Sequence, residues 1–204
     1  DKASLSKAIT IVENKIDNYK KLLSKTFKLN NNSLKIGITG PPGSGKSTIV
    51  NQLSKKYIKE GKSIGIICVD PSSPFNNGSI LGDRIRLNDL YDKNVFVRSI
   101  ATRGESGGLF SSIYDIDTLY NSFEFDVIIY ETVGVGQVEV DIMDYSHTLL
   151  LVLTPESGDE IQMMKSGLLE CADIIIINKA DRPGSSKLDL ALNKLKIWKK
   201  EWKV

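Results

Sequence analysis

The chain has 204 residues, 41% hydrophobic and 25% charged, with 27 basic and 25 acidic side chains and a net charge of +2. This length suits one α/β domain with a sizeable core, and the near-neutral balance excludes an electrostatic footprint for nucleic acid. Two cysteines and one histidine exclude a disulfide framework or zinc cluster; with no visible secretory signal and no apolar run near the ~18 residues of a membrane span, the chain reads as a soluble protein of a reducing compartment.

Residues 4–27 place Leu5, Ala8, Ile9, Val12, Ile16, Tyr19, Leu22 and Leu23 three or four apart. That spacing predicts one amphipathic helix. A polar run, LNNNS, then reads as a short linker, so 1–33 is expected to pack as an N-terminal helix and linker on a body formed by 34–204. From Leu34 onward, apolar runs alternate with helical patterns. Strands are predicted at LKIGIT (34–39), SIGIICV (63–69), VFVRSI (95–100), FDVIIY (125–130), HTLLLVL (147–153) and DIIIIN (173–178). Helices are predicted at 46–60, 80–93, 109–123, 159–172 and 186–198. The strands are nearly continuous in apolar residues, as expected when both faces are covered. The alternation predicts an α/β fold: a mainly parallel, doubly wound sheet with helices on both faces. Cys68 and Cys171 fall in apolar patterns and read as core thiols, His147 as a strand-edge residue, and the basic tail KIWKKEWKV as a solvated helix end.

Ligands of such sheets bind at the carboxyl ends of the strands. After the first strand comes GPPGSGKST: Gly40, Pro41, Pro42, Gly43, Ser44, Gly45, Lys46, Ser47 and Thr48. It matches G-x-x-x-x-G-K-[ST] between a strand and a helix, the context that a phosphate-binding loop requires. Glycines let the backbone aim amides at phosphates, Lys46 brings a positive charge to the β- and γ-phosphates, and the Ser47 hydroxyl can ligate Mg²⁺. A helix starting near Ser47 adds the positive end of its dipole.

After the last predicted strand stands Asn178-Lys179-Ala180-Asp181. A carboxylate at Asp181 accepts from both guanine N1–H and the exocyclic amine. Adenine offers no such donor pair and would leave the carboxylate unpaired. Lys179 can lie along the base and Asn178 can tie this loop to the phosphate loop. GTP and GDP, with Mg²⁺, are the ligands expected.

Three turn-rich segments follow other strand ends: DPSSPFNNGSILGDRIRL (70–87), ATRGESGGLF (101–110) and YETVGVGQVEVD (130–141). Their carboxylates Asp70, Asp83 and Glu131 are candidates for holding Mg²⁺ waters or the attacking water. Asp70 ranks first for water positioning. Glu131 ranks first for the metal shell and for sensing the γ-phosphate, with the Gly134 amide as donor. Asp126 opens its strand far from that edge and reads as structural. Arg84, Arg86 and Arg103 are alternative sources of a charge-stabilising finger. Val135 stands where many GTPases carry the water-orienting Gln, and Gln137 comes three residues after Gly134. Slow intrinsic hydrolysis, accelerated by a partner, is therefore expected.

With these motifs in this order, the chain resembles the MeaB/ArgK/MMAA family of P-loop GTPases, of the SIMIBI class. The resemblance runs from the N-terminal helix to about Trp202. It implies a GTP-hydrolysing chaperone that gates cofactor loading and protects or rescues an adenosylcobalamin-dependent acyl-CoA mutase of the methylmalonyl-CoA mutase type. It also implies an additional switch at Asp159 and Lys165, beside the candidates read from the residues: Lys46, Asp70 and Glu131 as catalytic, and Ser47, Asp70, Asp83 and Glu131 around the metal. A cytoplasmic or mitochondrial-matrix setting and a homodimer of the full-length protein are implied too. The family commonly carries Gly-His-Leu-Gly-Gly where this chain has GESGG, with Glu105 and Ser106. The chain is also expected to lack the Ser-Ala guanine loop and C-terminal dimerisation arm, since it stops at Val204. Alternatives are a nickel-insertion metallochaperone GTPase, which the scarcity of Cys and His disfavours, and the transport-system kinase of an older family label.

Overall fold

The computed structural model describes residues 1–27, 32–70, 94–101, 108–132, 142–158, 168–186, 188 and 190, with the backbone alone at 70, 101 and 108–112. Six parallel strands form one sheet: β1 (Leu34–Thr39), β2 (Ile64–Asp70), β3 (Val95–Ala101), β4 (Val127–Thr132), β5 (Thr148–Leu153) and β6 (Ile174–Ile177). Their order is β3-β2-β4-β1-β5-β6, which puts β1 between β4 and β5. Because every pairing is parallel, all six carboxyl ends reach one edge. The described helices are α1 (Lys2–Glu13), α2 (Tyr19–Thr26), α3 (Lys46–Lys59), α4 (Gly108–Ser122) and the short α5 (Leu168–Cys171). None of these is long and apolar enough to cross a membrane.

The period-two alternation of strands sorts side chains onto two faces. Ile36, Ile38, Ile64, Ile66, Val127 and Ile129 pack with Val50 of α3 on one face. Ile67, Val69, Ile128, Tyr130 and Leu149 pack on the other, with Ile113 and Ile116 of α4 and with Leu5, Ile9 and Val12 of α1. Three polar contacts fasten α1 to β3: Lys2 Nζ donates to Val95 O at 2.6 Å, Arg98 pairs with Glu13 at 2.6 Å, and Arg98 donates to Thr10 Oγ1 at 3.3 Å. Cys68 is buried and Cys171 partly so. His147 sits just outside β5, its amide donating to Lys35 O at 2.9 Å and its Nδ1 accepting from Lys35 N at 3.1 Å.

The structure differs from expectation in two places. The single N-terminal helix is two helices. Asn14 ends α1, its amide bonding back to Thr10 O and Val12 O, and Lys15 and Asn18 take left-handed φ values of 48° and 71°. Left-handed residues cannot continue an α-helix. The helix after the glycine-rich loop starts at Lys46, capped by Gly45, where the predicted span 46–60 begins. Second, β4 begins at Val127, two residues late, because the Asp126 carboxylate accepts from Ser63 N at 2.8 Å and Ser63 Oγ at 2.9 Å. The strand extends through Glu131 and Thr132. The predicted helix 80–93 lies outside the described residues, as do most of 159–172 and 186–198.

Gly65 of β2 lies under an aromatic cluster. A Cβ there would meet the Tyr120 ring at 2.5 Å and the Phe125 ring at 2.9 Å. Gly65→Ala should therefore destabilise the fold by about 1–3 kcal/mol, the usual cost of overpacking, read as a lowered denaturant midpoint. The Ser63 amide, then its hydroxyl, hold the Asp126 carboxyl below its usual 3.8. A depressed carboxyl stabilises above its unfolded pKa and loses that contribution as pH falls through the folded value. Asp126→Asn should accordingly lower the denaturation midpoint at pH 7, and the gap to the parent should close as pH drops below 3.8.

Candidate functional site

The loop between β1 and α3 takes a path open only to glycine at three points. Gly40, Gly43 and Gly45 have φ of 143°, 75° and 96°. At Gly40 a Cβ would stand 2.1 Å from Val152 O of β5, and at Gly45 it would stand 2.2 Å from Asn178 Nδ2. The loop thus lies directly against its neighbours. It folds around Lys46, 6% exposed, whose Nζ donates to Gly40 O at 2.7 Å and Pro41 O at 2.9 Å. Pro42 and Thr48 are exposed, whereas Pro41 and Ser44 are buried. Among the described residues, Ser44 Oγ has no hydrogen-bond partner. Gly45 caps α3 without a side-chain bond, so the first-turn N–H groups and the helix dipole present a positive end here.

Opposite stands the end of β4. Register places Glu131 beside Ile38 of β1 and Cys68 of β2. Its side chain, 8% exposed, accepts from Ser47 Oγ at 2.6 Å. Thr132, one residue on, points to the other face and donates from Oγ1 to Thr39 Oγ1 at 3.1 Å. Two hydroxyl contacts therefore hold the end of β4, Ser47 of α3 on one face of the sheet and Thr39 of β1 on the other.

The segment after β6 approaches from the far side. Asn178 N donates to Leu153 O at 2.8 Å, and its Nδ2 donates to Ser44 O at 2.8 Å. Lys179 is left-handed, φ 55°, and its Nζ donates to Gly43 O at 2.7 Å. Such a conformation costs a non-glycine residue about 1–3 kcal/mol and collects at functional sites. Asp181 is exposed just beyond. Arg182 pairs with Glu156 at 2.8 Å, tying this segment to the turn after β5. The Arg182 hydrogen bond chiefly holds the Glu156 carboxyl down at about 2, and Glu156 in turn raises the Arg182 guanidinium.

One sheet edge thus gathers Gly40–Ser47, Glu131 and Asn178–Asp181. Asp70 closes β2 at the same edge, its Cα opposite Ala101; its side chain lies outside the described residues. So do Asp83, Arg84, Arg86, Arg103, Glu105, Ser106, Gly134, Val135, Gln137, Asp159 and Lys165. The Lys179–Gly43 and Arg182–Glu156 contacts have no signature in the sequence, because each joins residues 26 or more apart through loop geometry. Chemically, a buried ammonium, a helix N-terminus, a hydroxyl and a carboxylate suit a polyanion carrying a divalent cation. Among the described residues, no three His, Cys, Asp or Glu side chains group to hold a metal. A hydroxyl and one carboxylate fit Mg²⁺, which keeps waters and takes phosphate oxygens for its remaining ligands.

A family model described as "Methylmalonyl Co-A mutase-associated GTPase MeaB" matches residues 5–204. A Pyrococcus horikoshii protein named as a GTPase is 46% identical over 99% of this chain and 64% of its own length. The Escherichia coli "GTPase ArgK" is 36% identical over 94% of the chain and 59% of its own length. The mouse "Methylmalonic aciduria type A homolog, mitochondrial" is 35% identical over 88% and 47%. The chain thus spans about half to two thirds of the length of these relatives. A solved structure titled "LAO/AO transport system kinase" superposes with a TM-score of 0.71 at 28% identity, covering 94% of this chain and 56% of that one. The hydrogenase maturation factor HypB of Archaeoglobus fulgidus, at 18% identity and a TM-score of 0.53, shares the fold.

The close approach of Gly45 to Asn178 makes these two positions energetically coupled. Gly45→Ala and Asn178→Ala should each destabilise the chain in urea. In the double variant the loss should fall short of the sum by about 0.5–3 kcal/mol, because removing Asn178 makes room for the new methyl.

Proposed function

The chain belongs to the MeaB family of methylmalonyl-CoA mutase-associated GTPases, and from that premise we propose that it binds GTP with Mg²⁺ and hydrolyses it to GDP and phosphate. We propose further that this cycle serves as a chaperone switch, gating cofactor loading of an adenosylcobalamin-dependent acyl-CoA mutase and protecting or rescuing it. The observation that carries the reading is the junction of Asn178 and Lys179 with the loop around Lys46, beside Ser47 and Glu131. Base recognition and phosphate chemistry are thereby joined at one edge.

In this reading Gly40–Thr48 cradle the phosphates and Lys46 neutralises charge on the β- and γ-oxygens. Mg²⁺, when bound, supplies further charge stabilisation between the phosphates. Ser47 is poised for that ion because its O–H is committed to Glu131, which leaves the oxygen lone pairs to act as ligand. Glu131 thus orients Ser47 and stands at the metal shell. Asp70 is assigned to the attacking water, Asp83 to the metal waters and the Gly134 amide to sensing the γ-phosphate. Asn178, Lys179 and Asp181 bind the base, with Asp181 accepting from guanine. Phosphoryl transfer needs positioning and charge more than covalent help, so hydrolysis is slow in the isolated chain and accelerates when a partner supplies positioning or charge. The setting is the cytoplasm, or the mitochondrial matrix of a eukaryote.

Single-turnover hydrolysis of GTP should accelerate about tenfold or more on adding an adenosylcobalamin-dependent acyl-CoA mutase. An isolated chain that is already fast, and indifferent to the mutase, would sink the chaperone reading. Asp181→Asn should weaken GTP binding on the order of ten- to a hundredfold in calorimetry, the worth of hydrogen bonds to a charged acceptor. The same variant should improve binding of xanthosine triphosphate, whose second base carbonyl pairs with the new amide.

A further inference from the structure

Behind the site, on the opposite face of the sheet from Ser47, one buried carboxylate gathers donors from three directions. Asp117 of α4 is 6% exposed. It accepts from Lys35 Nζ of β1 at 2.7 Å, from Asn121 Nδ2 at 2.9 Å and from the Tyr130 hydroxyl of β4. Asn121 is itself buried, and its orientation is fixed, since a flipped amide would set its oxygen against the carboxylate. Burial first, then the Asp117 charge, push the Tyr130 phenol well above its usual range, so it stays a neutral donor. Replacing a buried ion pair by well-packed apolar groups is often neutral or stabilising. Stability alone therefore explains such a cluster poorly, and its placement explains it better.

Both strands in the cluster run to the candidate site. Lys35 begins the strand that ends at the glycine-rich loop. Tyr130 is the residue before Glu131, and alternation sends their side chains to opposite faces, Tyr130 into the α4 layer and Glu131 onto Ser47. Helix α4 starts at Gly108, directly after the turn-rich segment 102–107. A phenol pinned at its far end fixes the rotation of the strand about residue 130, and with it the direction of the next side chain.

We propose that Asp117 and Tyr130 form a positioning pair that holds Glu131 against Ser47 and makes that placement depend on the seat of α4. The pair touches neither nucleotide nor metal and acts through Glu131, so the proposal rests on the role given to Glu131 above. A displacement of α4 would be passed through Asp117 to the strand and across it to the site. Tyr120 offers an internal contrast. It is as deeply buried as Tyr130, but its hydroxyl donates to Ile66 O at 3.2 Å.

The test compares Tyr130→Phe, Tyr120→Phe, Asp117→Asn and Glu131→Gln for single-turnover GTP hydrolysis across a Mg²⁺ titration, with thermal melting alongside. Both Tyr→Phe variants should melt earlier than the parent. Tyr130→Phe and Asp117→Asn should each slow hydrolysis about tenfold and raise the Mg²⁺ needed for half the maximal rate, with Mg²⁺-free GTP binding within about twofold of the parent. Tyr120→Phe should leave rate and Mg²⁺ dependence unchanged. The double variant Tyr130→Phe/Asp117→Asn should be no slower than the slower single, as for residues acting as a unit. If Glu131→Gln cripples hydrolysis while Tyr130→Phe and Asp117→Asn behave like Tyr120→Phe, the positioning role is overturned and the site reading survives. If Glu131→Gln is itself silent, the role of Glu131 fails and the proposal falls with it. Should Tyr130→Phe not fold, Asp117→Asn decides the same question.

Discussion

The parallel pairing of β1 with β4, in the register that sets Ile38 beside Glu131, is the contact on which the candidate site depends. Strand β1 delivers the chain into the glycine-rich loop and strand β4 delivers a carboxylate to the same edge. A shift of one residue would turn Glu131 to the α4 face and Tyr130 to the loop, because side chains alternate with a period of two. Such a slip is opposed from both faces. Ile129 and Tyr130 would exchange cores, the Ser47–Glu131 bond would break, and Asp117 would lose a donor.

The sheet order gives that pairing its consequences. With β1 between β4 and β5, the loop after β1 lies between the carboxyl end of β4 on one side and those of β5 and β6 on the other. Crevices at the carboxyl ends of an open parallel sheet form where the strand order reverses, and β1 stands at that reversal. The close packing is unforgiving. Gly40 backs onto the Val152 carbonyl and Gly45 onto the Asn178 amide, so side chains there would push apart the elements that converge. Lys46 is held inside the loop by carbonyls, and two further side chains, Asn178 and Lys179, clamp the loop from outside. This part of the chain is preorganised by hydrogen bonds to backbone carbonyls.

Much of this was legible in the residues. Apolar runs such as LKIGIT and DIIII announce strands covered on both faces, and the glycine-rich match between a strand and a helix carries its own mechanism. Boundaries were less legible, for identifiable reasons. Asp126 reads as the opening of a strand, yet Ser63, 63 residues away in sequence, takes its carboxylate and delays the strand to Val127. The helical spacing of residues 4–27 persists through Asn14–Asn18, since Ile16 keeps the period; the break comes from backbone conformations at Lys15 and Asn18 that periodicity does not register.

What the sequence determined by itself was chemistry of local spacing: the loop Gly40–Thr48, the Asn178–Asp181 segment, the alternation of strand and helix, and the resemblance these carry. Such signals survive because each depends on neighbours a few residues apart. The tertiary structure decided which strands are neighbours and which side chains meet across them. Ser47 with Glu131, Lys179 with Gly43, and Asp117 with Lys35 and Tyr130 are contacts of that kind. Asp117 shows the difference most plainly. In the sequence it is one polar residue in a helical run, and only the packing of α4 on β1 and β4 turns it into a buried acceptor. A carboxylate in that place needs donors from strands that the chain reaches 82 residues before it and 13 residues after it. No local pattern encodes such a meeting, because it is the burial of two sheet faces that brings those strands together.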